Sequence, residues 1–467
     1  IYSAVIINHA SIHIPPASGN SPVLFVASLN NRVRAQQRQQ SDFRVPGIVP
    51  IHLSKRHRQK RWIRKGKPMK CKTALLAGLI VVLTAWITFG GRVIHVDGSA
   101  AGANDGTSWE DAYNYLQDAL ADAESGERPV EIRVAQGVYR PDRSTAEPNG
   151  TGDRDRAFQL INEVEIKGGY AGHGRLDPNA RNVEAYDSVL SGDLAGDDIA
   201  VNDPCDLVDE PTRVENCYHV VTAWETDETS AIGGFTIRGG NANYHEYDYM
   251  VSDTRNNGAG LHSMNGSAKI ENCTFCFNSA IEGGGGLRSF DDDRLEGQVL
   301  IVVKNCDFYF NSAMGGGAIE CYGGMLKLHG CDIRVNRSLY YGGGMRTGEV
   351  ETELVNCTFQ DNYTSRSGGG LYSADKSVSM IGCLFRGNRA PAGGGACIPD
   401  LSAGLTVYGS RFIANLADKR GGAIALGALP NMTLENCTFA GNTAHTKGGA
   451  VSTASYGKML LFKNCTL

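Results

Sequence analysis

Apolar positions recur in the second half of the chain at a spacing of about 26 residues, the period of a repeat solenoid. One recurring position holds cysteine, with serine once in its place: Cys273, Cys306, Cys331, Cys357, Cys383, Ser410, Cys437 and Cys465. Two residues after each of these stands a large apolar residue: Phe275, Phe308, Ile333, Phe359, Phe385, Phe412, Phe439 and Leu467. Because residues two apart share one face of a strand, both columns are predicted to point into a common core.

Two further columns precede the cysteines. An apolar column lies three residues before them: Ile270, Val303, Leu328, Leu354, Met380, Val407, Leu434 and Phe462. Directly before the cysteines only asparagine or glycine occurs: Asn272, Asn305, Gly330, Asn356, Gly382, Gly409, Asn436 and Asn464. Asparagine and glycine most readily adopt the left-handed backbone conformation, so we expect a sharp turn between two strands at this position.

A second asparagine column and a run of glycines complete each repeat. The column is Asn278, Asn311, Asn336, Asn362, Asn388, Asn415 and Asn442. Its amides are predicted to bond along the solenoid axis. A Gly-Gly pair and an apolar residue follow, as in Gly369-Gly370-Leu371, and begin a third strand. The sequence therefore predicts an all-β fold, a right-handed parallel β-helix with three strands and about 26 residues per coil, over residues 131 to 467.

The segment before the coils is predicted to cap them. Thr107-Ser108-Trp109-Glu110 fits a capping box, and an amphipathic run with apolar residues at helical spacing follows it. We assign residues 93 to 130 to an N-terminal cap, whose amphipathic helix covers the apolar interior of the first coil.

The N-terminal part has a different character. Met69-Lys70-Cys71-Lys72 opens an apolar or small stretch that runs from Thr73 to Gly91, so residues 69 to 92 are predicted to be a signal peptide or a retained membrane anchor. Residues 1 to 68 show no periodicity and are interpreted as disordered or as a non-native upstream extension. The predicted location is extracellular or on the cell outer membrane surface.

The distribution of charged residues also separates the N-terminal part from the rest of the chain. Fourteen of the 45 Lys and Arg residues, but one of the 50 Asp and Glu residues, lie at or before Lys72. The remainder is therefore acidic, which argues against nucleic acid as its partner. A membrane contact is expected only through the N-terminal segment or through a missing C-terminal anchor.

The cysteines are predicted to have two roles. Those of the interior column are expected to be free, stacked thiols that act as small apolar side chains, with a disulfide ladder as the less favoured alternative. Cys205 and Cys217 instead flank an acidic loop outside the repeats. A local disulfide between them is left open.

The repeats resemble a known family. The signatures GGAI, at Gly316 to Ile319 and at Gly421 to Ile424, and FxxN, as at Phe359 to Asn362, are similar to the repeats of chlamydial-type polymorphic outer membrane proteins. The N-terminal part is similar to large secreted, pectate-lyase-like β-helix proteins of environmental bacteria. The resemblance implies a surface location and a β-helix. Because the chain stops within a coil at Leu467, we expect a fragment whose C-terminal anchor is missing.

The candidate binding residues lie in two loops. Aromatic rings beside acids are typical of sugar recognition, and this pattern occurs at Tyr244, His245, Glu246, Tyr247, Asp248 and Tyr249. The alternative for this insertion, from Asn241 to Asn257, is a polar loop whose tyrosines pack on the solenoid wall. Tyr340 and Tyr341 are expected to extend a sugar-binding patch. Asp291, Asp292 and Asp293 are a candidate calcium site or a solvated loop. No other cofactor is predicted.

The sequence shows no assembled catalytic site. We therefore expect a secreted or outer-membrane-surface structural or adhesive β-helix. The alternative is a carbohydrate-binding or polysaccharide-degrading β-helix, a lyase or a glycoside hydrolase, which needs carboxylates from neighbouring coils to converge in a cleft. The predicted partners are an extracellular polysaccharide or a host or cell-surface glycan.

Overall fold

The chain separates into two units, residues 1–84 and 85–467. A computed structural model describes part of the second unit, namely residues 91–244, 254–292, 299–374, 376–399, 404–427, 432–453 and 460–467. The predicted signal or anchor and the segment before it lie outside the described residues, apart from positions 91 and 92. Within the described ranges, no helix combines the length and the apolar character needed to cross a bilayer.

In the described part of the chain, four parallel sheets build the solenoid, and each coil from Ala231 to Thr453 contributes one strand to each sheet in turn. Sheet 1 has twelve strands: Arg92–Val96, Val130–Ala135, Val164–Tyr170, Ala231–Gly233, Ala268–Glu271, Leu300–Lys304, Met325–His329, Glu351–Val355, Ser377–Ile381, Gly404–Tyr408, Met432–Glu435 and Leu460–Lys463. Sheet 2 has ten: Gly137–Tyr139, Ser188–Ser191, Thr236–Arg238, Thr274–Cys276, Asp307–Tyr309, Asp332–Arg334, Thr358–Gln360, Leu384–Arg386, Arg411–Ile413 and Thr438–Ala440.

The other two sheets follow the asparagine corner and the glycine corner. Sheet 3 has eight short strands: Asn241–Ala242, Ser279–Ala280, Ser312–Gly315, Arg337–Tyr341, Tyr363–Thr364, Arg389–Ala392, Leu416–Arg420 and Thr443–Ala444. Sheet 4 has ten: Phe158–Gln159, Val221–Trp224, Leu261–Met264, Leu287–Phe290, Ile319–Tyr322, Met345–Gly348, Leu371–Ala374, Ala396–Ile398, Ile424–Leu426 and Val451–Thr453.

The predicted parallel β-helix is confirmed, but its regular coils have four strands where the sequence predicted three. The extra strand is the one in sheet 3, which lies between the asparagine and glycine columns. In several coils it is two residues long, as at Ser279–Ala280. Two residues are too few to show an alternating pattern, so the sequence identified this segment as part of a corner.

The predicted core columns are stacked in register. Phe359 pairs with Phe385 across neighbouring coils, and their rings lie parallel with centroids 4.7 Å apart. The interior cysteines belong to the same buried cluster and are free thiols, as predicted. From Cys306 onward, each thiol also donates to a carbonyl of the preceding coil, as Cys357 Sγ does to Leu328 at 3.3 Å. The thiols thus occupy one interior column of the core, where they act as small apolar side chains.

The turn before the cysteines has the predicted conformation at every position. All eight Asn and Gly residues have positive φ, from 50° at Asn464 to 66° at Gly330. A second column, directly before the buried asparagines, is left-handed as well, and the sequence did not predict it. It includes Phe277, Phe310 and the β-branched Val335, whose φ is 56°. Such residues disfavour this conformation, so the stacked coils impose it.

The buried asparagines form the predicted ladder. Each side-chain amide donates to the side-chain oxygen of the next asparagine, as Asn362 Nδ2 does to Asn388 at 3.0 Å. The same nitrogen donates to a carbonyl of the preceding coil, at 2.7 Å in the case of Ile333. The ladder thus pairs polar groups that would otherwise be buried without partners.

The N-terminal cap differs in detail from its prediction. The helix spans Leu116–Ser125, and no side chain caps it, so the capping box predicted from Thr107 to Glu110 is wrong. There Ser108 instead accepts from the backbone N–H of Asp111 in a local turn. Leu116, Ala119, Leu120 and Ala123 of the helix join the main core, so the helix covers the apolar interior as expected.

Candidate functional site

The predicted tyrosine patch lies mostly outside the described residues. His245, Glu246, Tyr247, Asp248 and Tyr249 are in that part of the chain, so sugar binding by this loop stays a prediction. Tyr244 is described and half-buried. Its ring lies 3.4 Å from the guanidinium carbon of Arg255, and its centroid lies 5.9 Å from that of Tyr218. At its start, therefore, the loop packs on the solenoid wall.

The predicted calcium loop is partly described. Asp291 Oδ2 accepts from the backbone N–H of Val299 at 3.4 Å, and the N–H of Asp292 donates to Asn265 Oδ1 at 2.8 Å. Asp293 lies outside the described residues. These contacts hold the base of the loop to the backbone of Val299 and to the side chain of Asn265, and calcium binding by the three aspartates stays a prediction.

No disulfide joins the two cysteines that flank the acidic loop. Cys205 and Cys217 are both free thiols. Cys205 is exposed on a short 3-10 helix, Pro204–Asp209, whereas Cys217 is fully buried. The two thiols thus lie in different environments, one facing solvent and the other facing the core.

The longer segment between the strands Ser188–Ser191 and Val221–Trp224, which contains this loop, carries an acidic cluster that the sequence did not single out. Ligand oxygens of Asp193, Asp197 and Glu215 lie within 4.8 Å of one another, an arrangement of hard oxygen atoms that suits a divalent cation. A cavity of about 300 Å³ lies beside them. Burial raises the pKa of Asp198 in this cavity to about 6, against the opposing charge of Arg213, whose Nη1 lies 2.8 Å from the carboxylate.

Arg213 connects this loop to the coils. It is buried, and its other nitrogens donate to the carbonyls of Leu207, Gly240 and Phe277 at 2.9 to 3.1 Å. Every one of these contacts fixes backbone. The buried arginine therefore has a structural role.

A second surface lies on sheet 4, where outward side chains of consecutive coils meet. Arg288, Glu320, Arg346 and Tyr372 are register partners in four neighbouring strands. Tyr322 lies beside them on the strand of Glu320. Tyr341 and Arg366, at the adjoining corner, complete what we call the arginine–tyrosine face: Arg288, Glu320, Tyr322, Tyr341, Arg346, Arg366 and Tyr372.

Ion pairs and ring contacts hold this face together. Glu320 is 3% exposed, and its carboxylate lies 2.8 Å from Arg346 Nη1 and 3.5 Å from Arg288 Nε. Arg346 Nη2 also donates to the hydroxyl of Tyr322 at 2.8 Å. The rings of Tyr341 and Tyr372 have centroids 4.5 Å apart. The buried carboxylate thus fixes the cations, and the aromatic rings surround them.

Two glycines make room for the carboxylate of Glu320. A Cβ on Gly283 would lie 1.5 Å from its Oε2, and a Cβ on Gly315 would lie 2.8 Å from its Oε1. Any larger residue would displace the acid that both arginines contact. Part of the glycine-rich pattern therefore serves this surface as well as the corner.

Sequence reasoning found part of this face. It placed Tyr340 and Tyr341 in a sugar-binding patch, and Tyr340 does adjoin the face, with its ring 4.4 Å from the guanidinium carbon of Arg366. It missed Arg288, Glu320 and Arg346. Each follows directly after an inward apolar residue of sheet 4, but the residue type at this outward position changes from coil to coil, so no repeating column marked them in the sequence.

The comparisons with known proteins agree with this architecture. The family model described as a right-handed beta helix region matches residues 257–415 and, in a second and overlapping match, residues 352–467. No curated protein matches the chain. The chain is thus similar to right-handed β-helix proteins over its regular coils, whereas the resemblance to polymorphic outer membrane proteins and to secreted pectate-lyase-like proteins stays a prediction.

Proposed function

We propose that the protein is an exported adhesive β-helix that binds an extended glycan along the arginine–tyrosine face. The observation that carries this proposal is the grouping of three tyrosine rings with three arginines on one surface built by four consecutive strands of sheet 4. Aromatic rings stack on the apolar faces of sugars, and fixed polar groups bond the hydroxyls.

The geometry of the solenoid favours a polymer over a small sugar. Successive coils advance by about 4.8 Å, so a chain that lies along the axis meets the outward side chains of a new coil at each step. Surfaces of repeat proteins are used in this way for extended ligands. Weak contacts to single sugars then add up along the glycan, which is the property that an adhesive protein needs.

Charge supports the choice of partner. The three arginines of the face outnumber its one acid, Glu320, although the chain beyond Lys72 is acidic. A local cationic surface of this size suits a glycan better than nucleic acid, whose binding needs a wider basic area. The predicted signal at residues 69 to 92 and the resemblance to surface proteins support export.

Polysaccharide degradation is the second candidate function, and the acidic cluster favours it. A lyase needs carboxylates that hold a cation, and Asp193, Asp197 and Glu215 are close enough to do so. A hydrolase needs a protonated acid near neutral pH, and the pKa of Asp198 is raised towards that range. These acids all come from one loop, however, rather than from three adjacent coils.

Binding of the full chain to a glycan array and to immobilised pectin and alginate tests the proposal. Tyr322→Ala and Tyr372→Ala should each weaken binding by about 2- to 10-fold, the range for loss of one aromatic contact. Tyr408→Ala is the matched control, because Tyr408 is 47% exposed on sheet 1 and should leave binding unchanged. Equal losses in all three variants, or no glycan bound, would contradict the proposal.

The second function is tested with the same polymers. Incubation with pectin and alginate, with and without added Ca²⁺, should release no new reducing or unsaturated ends if the protein is purely adhesive. Release that Asp193→Asn abolishes would favour the enzyme instead.

A further inference from the structure

A small cavity lies on sheet 4 next to Arg288, at the N-terminal end of the arginine–tyrosine face. It has a volume of about 100 Å³ and is lined by Thr254, Asn257, His262, Met264, Arg288 and Phe290. His262 and Arg288 are register partners on adjacent strands, so they face the same side of the sheet. We call this space the His262 cavity.

Two nitrogens at this cavity lack hydrogen-bond partners among the described residues. They are His262 Nδ1 and Arg288 Nε, and both atoms are buried. His262 itself is 2% exposed. Buried polar atoms are nearly always paired in proteins, so two adjacent unpaired nitrogens at one cavity indicate a group that the cavity is built to receive.

The two arginines that contact Glu320 differ in what they are free to bind. Arg346 makes a 2.8 Å hydrogen bond to Glu320, and a second to Tyr322. Arg288 has only a 3.5 Å charge contact with the same carboxylate and no hydrogen bond to it at Nε. Nε is unpaired in both arginines, but both Nη atoms of Arg346 are already bonded to Glu320 and Tyr322, so Arg288 is the arginine whose guanidinium is left for a ligand.

His262 is kept neutral and supplies the second donor. Desolvation lowers the pKa of His262 well below its usual value, and the nearby His219 and Arg288 act in the same direction. The ring of His219 lies 4.8 Å away, and its Nδ1 donates to the Gly258 carbonyl at 3.1 Å. A neutral imidazole can carry its proton on Nδ1 and donate from there.

We infer that the His262 cavity is a subsite for one anionic substituent of the bound glycan, a carboxylate or a sulfate, held by Arg288 and His262. This inference rests on the proposed glycan binding and names the class of sugar. The cavity volume of about 100 Å³ is large enough for a group of a few heavy atoms. The planar guanidinium of arginine matches the oxygens of both groups.

The test compares acidic polymers with a neutral one of the same backbone. Affinities of the full chain are measured for polygalacturonate, for chondroitin sulfate, and for polygalacturonate whose carboxyl groups have been reduced to alcohols. The wild type should bind at least one acidic polymer about tenfold more tightly than the reduced polymer. Arg288→Gln and His262→Gln should each remove most of that preference, because they should weaken binding of the acidic polymers by several-fold more than binding of the reduced polymer.

Matched controls separate a specific subsite from general charge. Arg386→Gln removes an exposed arginine from sheet 2 and should change no affinity by more than about twofold. Arg288→Lys keeps the charge but loses the planar donor, and should recover only part of the preference. Far-UV circular dichroism verifies the fold of each variant. If His262→Gln fails to fold, the two variants at Arg288, which is partly exposed, still decide the question.

Three outcomes would overturn the inference, and they are distinguishable. Equal loss for acidic and reduced polymers would make Arg288 a general contact. Glycan binding without any preference for the acidic polymers would remove the subsite but leave the proposed function. Failure of the wild type to bind any glycan would remove both. The two acidic polymers together show whether the subsite takes a carboxylate or a sulfate.

Discussion

The asparagine ladder gives the sharpest prediction about stability. In Asn362→Ala, the ladder loses the two hydrogen bonds donated by Nδ2, to Asn388 and Ile333, and the two that Oδ1 accepts from the main-chain and side-chain nitrogens of Asn336. At a net value of about 1 kcal/mol each, the loss is about 4 kcal/mol. The N–H of Asn336 and the carbonyl of Ile333 then remain buried without these partners, so the true cost is at least this large.

Because neighbouring coils stabilise one another, the loss should appear as local opening rather than as global unfolding. Hydrogen exchange measured by mass spectrometry should be faster by about a thousandfold in peptides that cover residues 331 to 390, since 1.4 kcal/mol corresponds to a factor of ten. Peptides from the N-terminal coils should change little. Gln360→Ala, a surface change in the same coil, is the control and should alter exchange by less than about threefold.

A second variant, Asn362→Asp, tests whether the loss of stability comes from the missing hydrogen bonds rather than from a change in side-chain volume. Asn362→Asp keeps the shape and the acceptor, but it replaces the donor with a carboxyl group that faces the oxygens of Ile333 and Asn388. Burial should raise the pKa of the new carboxyl above its unfolded value of about 3.9. The native state then binds more protons than the unfolded state, so stability should fall as the pH rises from about 4. Changes below about 1 kcal/mol in both variants would refute the reasoning.

Three further predictions concern the core and the face. Gly283→Ala should lower the free energy of unfolding by about 1–3 kcal/mol because its Cβ would clash with Glu320, and addition of Glu320→Ala should recover part of that loss. Strictly additive effects of the two substitutions in thermal unfolding would contradict the clash. Cys357→Ser should change stability by less than about 1.5 kcal/mol, since Ser410 occupies the same column. Cys357→Leu should be more destabilising because the larger side chain overpacks the core. Equal melting temperatures of the two variants would contradict this difference. The pKa of His262 is depressed in the native state, so the unfolded chain binds an extra proton below pH about 6.5. Stability should therefore fall with decreasing pH in this range, and less steeply in His262→Gln. Identical slopes of stability against pH for the two proteins, in acid titrations followed by circular dichroism, would argue against a neutral native imidazole.

The sequence by itself determined the solenoid. The cysteine, phenylalanine and asparagine columns recur in phase because each coil must place the same kind of side chain above that of its neighbour. The left-handed turn was readable as well, since only asparagine and glycine occupy it from Asn272 to Asn464. These features repeat, and repetition in the chain is a direct record of stacking in space.

Only the tertiary structure decided the rest. The left-handed backbone of Val335 runs against its intrinsic preference, and contacts with the coils on either side outweigh that preference. The fourth strand is stabilised by pairing across coils and has no pattern of its own. The arginine–tyrosine face depends on which outward residues become neighbours, as Arg288, Glu320 and Arg346 do although each is 26 or more residues from the next. Such contacts arise from the register between coils, and outward positions vary too much in type for a column of them to stand out in the sequence.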